Sequence, residues 1–309
     1  MEHVIEINHL TKNYGQGRGV FDVNFYVNEG EVFGFLGPNG AGKSTTIRHL
    51  MGFSIPDSGE TLINGVSSLK ERDIIMQGVS YIPGEVALPL ELTGKEVIEE
   101  QKKLKNVTDD TMLNWLIQEF ELDPSLRCKS MSLGMKRKMA IVCAFMNDPD
   151  LIIMDEPSSG LDPEMQAKFV ELIKLERRRG KTILLSSHIF SEVDAVCDRI
   201  AVIKDGKIVS LFVADELKHK TEKRYRVLYK TPAYAEEAKK AILAKGFDAR
   251  NSSSNPSLLH CTCNEDKLAS FLGVIPHDGL VDLSEKKETL EDYFMSFYKE
   301  DLTYGGVSK

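Results

Sequence analysis

The sequence has no long hydrophobic run, and no segment approaches the roughly 18 consecutive apolar residues of a membrane-spanning helix. Its first ten residues, MEHVIEINHL, include acidic side chains and no extended apolar core, so we expect no secretory signal peptide. The chain also lacks an excess of basic residues. It has 39 Lys and Arg against 47 Asp and Glu, which gives a formal charge of −8. This balance argues against a chain that covers DNA or RNA with a basic surface, so we expect no nucleic-acid partner.

Cysteine is scarce as well, and its five positions are Cys128, Cys143, Cys197, Cys261 and Cys263. An odd number without an export signal predicts reduced thiols in the cytosol rather than a disulfide framework. The spacing of Cys261 and Cys263 could suggest a metal site. Because no second pair of ligands lies nearby, we interpret these two cysteines as alternate residues on one face of a strand.

The length of 309 residues and the ordinary share of hydrophobic residues, 42%, predict about two globular domains. Short apolar runs at 32–36, 151–154 and 182–187 are typical of strands buried on both faces, which favours a parallel sheet with intervening helices. Further along, the pattern becomes strand, helix, strand, strand, helix, strand and helix, as in a small α+β module. We therefore predict an α/β domain over 1–218 and an α+β domain over 219–309.

A glycine-rich loop follows the first of these runs. The segment Gly37-Pro38-Asn39-Gly40-Ala41-Gly42-Lys43-Ser44 fits the pattern G-x-x-x-x-G-K-[ST], and a helical run follows it. In this context glycines let successive backbone N–H groups face phosphate oxygens, and the helix N-terminus adds partial positive charge. We expect Lys43 to contact the β- and γ-phosphates and Ser44 to bind Mg²⁺. The predicted nucleotide-binding residues of this loop are Gly37, Asn39, Gly40, Ala41, Gly42, Lys43, Ser44 and Thr45.

Acidic residues and a histidine end the next two apolar runs. Asp155 and Glu156 follow the first of them, and His188 follows the second. Ligands of open α/β sheets bind at the carboxyl ends of the strands. We therefore expect Asp155 to hold Mg²⁺, Glu156 to orient or deprotonate the attacking water, and His188 to contact the γ-phosphate. Lys43, Glu156 and His188 are the predicted catalytic residues.

Taken in order, these motifs and the segment Ser159-Gly160-Leu161-Asp162 resemble those of the ATP-binding cassette (ABC) ATPases, over residues 1–218. The resemblance implies the P-loop NTPase fold of an ABC cassette, with a mixed sheet core, a helical subdomain and a small antiparallel β subdomain. It also implies that Tyr14 stacks on adenine, a contact that contributes ~1–3 kcal/mol by analogy with base stacking. In the same family the segment 159–162 crosses a dimer interface.

Two segments depart from the family pattern. The signature Leu-Ser-Gly-Gly-Gln matches Met131-Ser132-Leu133-Gly134-Met135, so Ser132 and Gly134 are retained. The resemblance implies that they close on the ATP of a second subunit in a head-to-tail dimer. Gly84 stands where the family usually has a metal-contacting glutamine, and we expect Glu85 to substitute as a metal ligand. The segment Lys136-Arg137-Lys138 is interpreted as a solvated helix face.

The resemblance implies the ATPase subunit of an exporter-type ABC transporter, located at the cytoplasmic face of the cell membrane. Two such subunits, identical or paralogous, would use ATP and Mg²⁺ to drive export of a drug, antimicrobial peptide or lipid. The export path would lie in separate integral membrane permease subunits, with the apolar segment Val86 to Leu90 receiving a permease helix. The alternative is a soluble ABC-type ATPase that acts without a membrane partner, for example in Fe–S assembly.

Overall fold

A computed structural model of the chain describes residues 3–218, 222–286 and 289–299. The chain divides into two compact units, Met1–Ala214 and Asp215–Lys309. The boundary expected from the sequence, at 218, lies a few residues further along the chain. Within the described ranges, no helix combines the length and the apolar character needed to cross a lipid bilayer.

The first unit alternates strands and helices. Its strands are β1 (His3–Gly15), β2 (Arg18–Asn28), β3 (Val32–Leu36), β4 (Ser58–Ile63), β5 (Val66–Ser67), β6 (Val79–Ile82), β7 (Leu151–Asp155), β8 (Thr182–Ser187), β9 (Arg199–Lys204) and β10 (Lys207–Val213). Its helices are α1 (Lys43–Leu50), α2 (Arg72–Gly78), α3 (Gly94–Lys105), α4 (Thr111–Glu119), α5 (Leu133–Phe145), α6 (Pro163–Arg178) and α7 (Phe190–Val196). The three apolar runs of the sequence form β3, β7 and β8, as predicted.

The central sheet has the strand order β10-β9-β3-β8-β7-β6. All pairs are parallel except β9 and β10, which form the antiparallel hairpin at its edge. Every residue of β3, β7 and β8 is buried, which explains their continuous apolar sequences. Because parallel strands bring their carboxyl ends to one edge, the loops after β3, β6, β7 and β8 meet there.

A smaller antiparallel sheet, of order β2-β1-β4-β5, shares a core with the central sheet. The Phe25 ring of β2 stacks on the Phe33 ring of β3, with ring centroids 5.0 Å apart. Ile47 and Leu50 of α1 belong to the same buried cluster. This packing fixes both ends of the loop between β3 and α1, the loop that carries the phosphate-binding pattern.

Helices α3, α4 and α5 occupy the chain between β6 and β7. The Thr93 side chain caps α3 in a reciprocal arrangement, since its Oγ1 accepts from the Glu96 amide at 3.3 Å and its own amide donates to Glu96 Oε2 at 2.7 Å. Helix α5 begins at Leu133. Its start is set by Ser132, whose Oγ accepts from the Met135 amide at 3.2 Å.

The remaining elements are α8 (Ala214–Lys218), β11 (Glu222–Tyr229), α9 (Pro232–Ala244), β12 (Asp248–Asn251), β13 (Leu258–Asn264), α10 (Leu268–Val274), β14 (Leu280–Glu285) and α11 (Leu290–Lys299). Strands β12-β13-β11-β14 form an antiparallel sheet in that order, and α9 and α10 contribute to its core. Cys261 and Cys263 are both buried on one face of β13, and all five cysteines are free thiols. In the described residues, no cluster of three or more His, Cys, Asp and Glu side chains could hold a metal ion.

Candidate active site

The phosphate loop runs from β3 to α1, and two of its glycines are required by close contacts. Gly42 has φ +114°, and a Cβ there would lie 2.8 Å from Cγ1 of Val20. A Cβ at Gly37 would lie 2.6 Å from the carbonyl oxygen of Ile203. Larger residues at either position would displace the loop. Of the other predicted loop residues, Ala41 is buried, Thr45 is partly buried, and Asn39, Gly40 and Ser44 are exposed.

Lys43 opens α1 and is 5% exposed. Its Nζ donates to the carbonyl oxygens of Gly37, at 2.6 Å, and of Pro38, at 3.2 Å. It also lies 2.9 Å from Oε1 of Glu156. The ammonium is therefore held between the phosphate loop and the carboxylate that follows β7.

Glu156 is the centre of the charged contacts at this edge of the sheet. Its backbone has φ +49°, and its amide donates to the carbonyl oxygen of Ser186 at 3.1 Å, so the turn after β7 is tied to β8. Its Oε2 lies 2.6 Å from Nδ1 of His188. Its Oε1 is buried and accepts no hydrogen bond from the described residues, so the contact with Lys43 is an ion pair. Three predicted catalytic side chains thus form one connected group.

Asp155 is the last residue of β7 and is 3% exposed. Its Oδ1 accepts a hydrogen bond from Oγ of Ser186 at 2.6 Å. Its Oδ2 faces Gly84, where a Cβ would approach it to 2.9 Å. Burial raises the pKa of nearby Tyr81 to about 12, and the charge of Asp155 adds to this effect. A buried carboxylate oriented by a serine hydroxyl is a suitable hard ligand for Mg²⁺.

A second buried acid, Glu192 in α7, was missed by sequence analysis. Its Oε2 accepts from Oγ of Ser187 at 2.7 Å, and the same Oγ accepts from the Ile189 amide at 3.0 Å. These bonds shape the chain on both sides of His188. Burial raises the pKa of Glu192, and the Ser187 hydrogen bond opposes that shift. The sequence offered one signal, an acidic residue in a short helix that also carries apolar residues. Two of these, Val193 and Val196, are buried.

The other predicted site residues are exposed or partly exposed. Tyr14 is the penultimate residue of β1 and is 52% exposed, and Glu85 is exposed beside Gly84. Ser132 is exposed at the start of α5, where its hydroxyl caps the helix. Gly134 lies against the loop after β7, since a Cβ there would approach the carbonyl oxygen of Gly160 to 2.9 Å.

The interpretation of Lys136-Arg137-Lys138 as a solvated face is wrong for its central residue. Arg137 is 2% exposed, and its guanidinium donates to backbone carbonyls of the loops after β6 and β7. Its two lysine neighbours are partly exposed. The sequence carried no signal for this burial, because a run of three basic residues on a helix is usually solvated.

Comparison with known proteins adds independent findings. Residues 20–159 match the family model described as ABC transporter. The uncharacterized ABC transporter ATP-binding protein YhcH of Bacillus subtilis is 36% identical over 216 residues, which cover 68% of this chain and 70% of that protein. The bacitracin transport ATP-binding protein BcrA of Bacillus licheniformis is 34% identical over 226 residues, covering 72% and 74%. A solved structure of the ATP-binding subunit of an ABC transporter has a TM-score of 0.64 at 32% identity, covering 70% of this chain and 92% of its own.

Proposed function

Because the chain belongs to the ATP-binding proteins of ABC transporters, we propose that two copies, or one copy and a paralogue, form a head-to-tail dimer that drives export through separate membrane permease subunits. The chain itself is an ATP hydrolase of this family. The observation that supports ATP hydrolysis at this site is the position of the Glu156 carboxylate, which contacts both Lys43 and His188. A partly buried carboxylate between an ammonium and an imidazole is suited to accept a proton from water beside a γ-phosphate.

The residues of this group have separable roles in hydrolysis. Lys43 and the backbone N–H groups of its loop would bind the β- and γ-phosphates, and Tyr14 would stack on adenine. A phosphate that attracts the Lys43 ammonium leaves Oε1 of Glu156 available to accept the proton of the attacking water. His188 would hold the Glu156 carboxylate in place and contact the γ-phosphate. Ser132 and Gly134 would close on the ATP of the other subunit.

Asp155, Ser44 and Glu85 are the residues we propose for Mg²⁺. The buried Asp155 carboxylate, with one oxygen bonded by Ser186 and the other facing Gly84, has the oxygen chemistry that this ion prefers. Ser44 stands on the first turn of α1, next to Lys43. The bound ion would neutralise charge on the phosphate oxygens during transfer.

A groove beside the Gly84 loop supports the proposed permease contact. It has a volume of about 810 Å³, and its lining includes Val86, Leu88 and Leu104. Leu104 is 74% exposed, and Leu90 nearby in sequence is 55% exposed. An apolar groove of this kind can receive the apolar face of a partner helix. We propose that the protein acts at the cytoplasmic face of the membrane, with 219–309 as an accessory domain.

The hydrolysis is tested by two substitutions measured with the purified chain, ATP and Mg²⁺. We expect Glu156→Gln to retain ATP binding while kcat falls by about 10²–10⁴-fold, the range of a general base. Lys43→Ala is expected to lose ATP affinity instead. Glu171→Gln on the exposed surface of α6 is the matched control and should keep wild-type activity. Undiminished turnover by Glu156→Gln would contradict the role of this carboxylate.

The membrane partner needs a separate experiment. Affinity purification of the chain from detergent-solubilised membranes of its host should yield a stoichiometric multi-span protein. That protein, rather than this chain, would determine whether a drug, an antimicrobial peptide or a lipid is exported. Recovery only from the soluble fraction, with no membrane protein bound, would contradict the transport proposal and leave the ATPase activity intact.

A further inference from the structure

Arg137 is a buried side chain that joins three segments of the first unit. It lies in α5, one turn after Ser132, and is 2% exposed. Its Nη1 donates to the carbonyl oxygen of Pro83 at 2.7 Å, and its Nη2 donates to that of Gly84 at 2.6 Å. Its Nε donates to the carbonyl oxygen of Ser159 at 3.2 Å. One guanidinium therefore holds the helix of Ser132 against the loops after β6 and β7.

The charge of Arg137 is held by backbone carbonyl oxygens. In the part of the chain that the structure describes, its guanidinium makes no salt bridge, although Asp155 and Glu156 lie close enough to influence its pKa. Burial lowers that pKa, and the two carboxylates act in the opposite direction. An arginine nevertheless stays charged in proteins. A buried charge without a paired carboxylate is costly, which indicates a purpose beyond packing.

The geometry of the contact requires an arginine. Two amino groups of one planar guanidinium reach consecutive carbonyl oxygens, those of Pro83 and Gly84, while Nε points to a third on Ser159. A lysine ammonium is a single point of charge and cannot occupy these three directions together. Substitution by an apolar residue would leave three carbonyl oxygens without this donor.

The two loops that Arg137 holds are those that touch the acidic residues of the site. Gly84 lies so close to Asp155 that a Cβ on it would come within 2.9 Å of Oδ2. The Ser159 amide donates to the carbonyl oxygen of Glu156 at 3.2 Å. A shift of either loop would therefore change the surroundings of the proposed metal ligand or of the proposed base.

We propose that Arg137 is a positioning residue for ATP hydrolysis, which holds the loops beside Asp155 and Glu156 in register with the helix that begins at Ser132. This inference rests on the proposed function of that site. It concerns the chemical step rather than nucleotide capture, because none of the three carbonyls that Arg137 contacts belongs to the phosphate loop. A misplacement of about 1 Å at a reacting centre can reduce a rate by about 10²-fold.

The test compares Arg137→Met and Arg137→Lys with the wild type and with Lys138→Met. Lys138 is the adjacent, partly exposed residue of the same helix, so its substitution removes the same charge without the three carbonyl contacts. We measure kcat, the ATP dissociation constant and the Mg²⁺ concentration for half-maximal activity. For Arg137→Met we expect kcat to fall and the Mg²⁺ midpoint to rise, each by about tenfold or more. ATP affinity should change by less than about threefold, and Lys138→Met should match the wild type.

Several outcomes would overturn the inference. Arg137→Met with wild-type kcat and Mg²⁺ midpoint would remove any positioning role. Equal losses in Arg137→Met and Lys138→Met would assign the effect to helix charge. A wild-type chain that fails to hydrolyse Mg-ATP would instead refute the proposed function, so the two failures are distinguishable.

Arg137→Lys addresses the case in which Arg137→Met does not fold. It retains the charge and is expected to keep the fold while losing the fork of hydrogen bonds. Amide hydrogen exchange should then be faster at Gly84–Glu85 and Ser158–Gly160 than in Lys138→Met, with exchange in the rest of α5 unchanged. Exchange increased uniformly along α5 and not in the two loops would show that Arg137 only stabilises its helix.

Discussion

The two units differ in the charges that their cores contain. The first unit buries Glu31, Lys43, Arg137, Asp155, Glu176, Lys181 and Glu192. Among the described side chains of the second unit, no charged residue is buried. Its core consists of aliphatic, aromatic and cysteine side chains, with the Tyr229 hydroxyl satisfied by the carbonyl oxygen of Pro276 at 3.1 Å.

The first unit contains two kinds of buried charge. Glu31 pairs with Arg199, and Glu176 pairs with Arg179, so these acids have ordinary basic partners. Lys43, Asp155, Arg137 and Glu192 instead converge on loops at one edge of the central sheet. Lys43 has an ion-pair partner in Glu156, whereas Asp155, Arg137 and Glu192 form no salt bridge within the described residues. Because an unpaired buried charge is costly, the accumulation of such charges at one place indicates function more strongly than burial alone.

The comparison predicts that damage to the second core leaves nucleotide binding intact. Phe271 is 0% exposed and packs on Tyr225 and Phe247, with ring centroids at 5.2 and 5.3 Å. We expect Phe271→Ala to destabilise the second unit by about 3–5 kcal/mol, through lost burial and a cavity. Denaturant unfolding measures this loss, with Leu272→Ala, 39% exposed, as the control. Reduced ATP affinity in Phe271→Ala would contradict the independence of nucleotide binding from the second core, since every proposed nucleotide contact lies in the first unit.

A smaller effect, on the Mg²⁺ dependence of the ATPase, is expected when a buried hydroxyl of the first unit is removed. Ser186→Ala removes the 2.6 Å hydrogen bond to Oδ1 of Asp155. Loss of a group that orients a metal ligand reduces metal affinity by about 10–100-fold, so the Mg²⁺ midpoint of the ATPase should rise by about tenfold. Ser80→Ala is the control, because Ser80 is a buried serine whose partner is Asn147 rather than a site residue. An unchanged Mg²⁺ midpoint in Ser186→Ala would contradict the assignment of Asp155.

The smallest effect concerns the pH dependence of stability. Burial raises the pKa of Glu192 above its ordinary 4.5, so the folded state holds this proton more tightly than the unfolded state. Its contribution to stability is complete below pH 4.5 and is lost as pH rises through the raised pKa. Glu192→Gln removes this titration, so its Tm relative to the wild type should increase from pH 4 to pH 8. Glu237→Gln, on an exposed face of α9, should show no such trend, and equal trends in both variants would count against a buried acid.

Much of the site could be predicted because local patterns determine it. The apolar runs before Gly37 and Asp155 identify buried parallel strands, and their common direction places Lys43, Glu156 and His188 at one edge. The order of elements from β11 to α11 also followed from apolar patterns and turn residues, whereas the short helix α8 before them was not predicted. These features depend on residues near one another in sequence, so a single chain reveals them.

The contacts that could not be predicted join distant segments. Arg137 meets Pro83 and Gly84 across more than 50 positions, at sequence separations of 54 and 53. The burial of Arg137 depends on how α5 packs against β6. Its basic neighbours in the sequence instead indicate an exposed helix face. Glu192 is an exception, because its partner Ser187 is only five residues away, but the sequence does not specify how the chain turns from β8 into α7.

The close approach of Gly84 to Asp155 limits how this chain can change. Introducing the family's more usual glutamine at Gly84 would add a Cβ 2.9 Å from an oxygen of Asp155. Asp155 cannot yield freely, because its other oxygen is fixed by Ser186. The loop would therefore have to move first, and Arg137 holds its carbonyl oxygen in the present position. A glutamine at this position would thus need a compensating change elsewhere, and a graft of the family motif by protein engineering would need to redesign Arg137 together with Gly84.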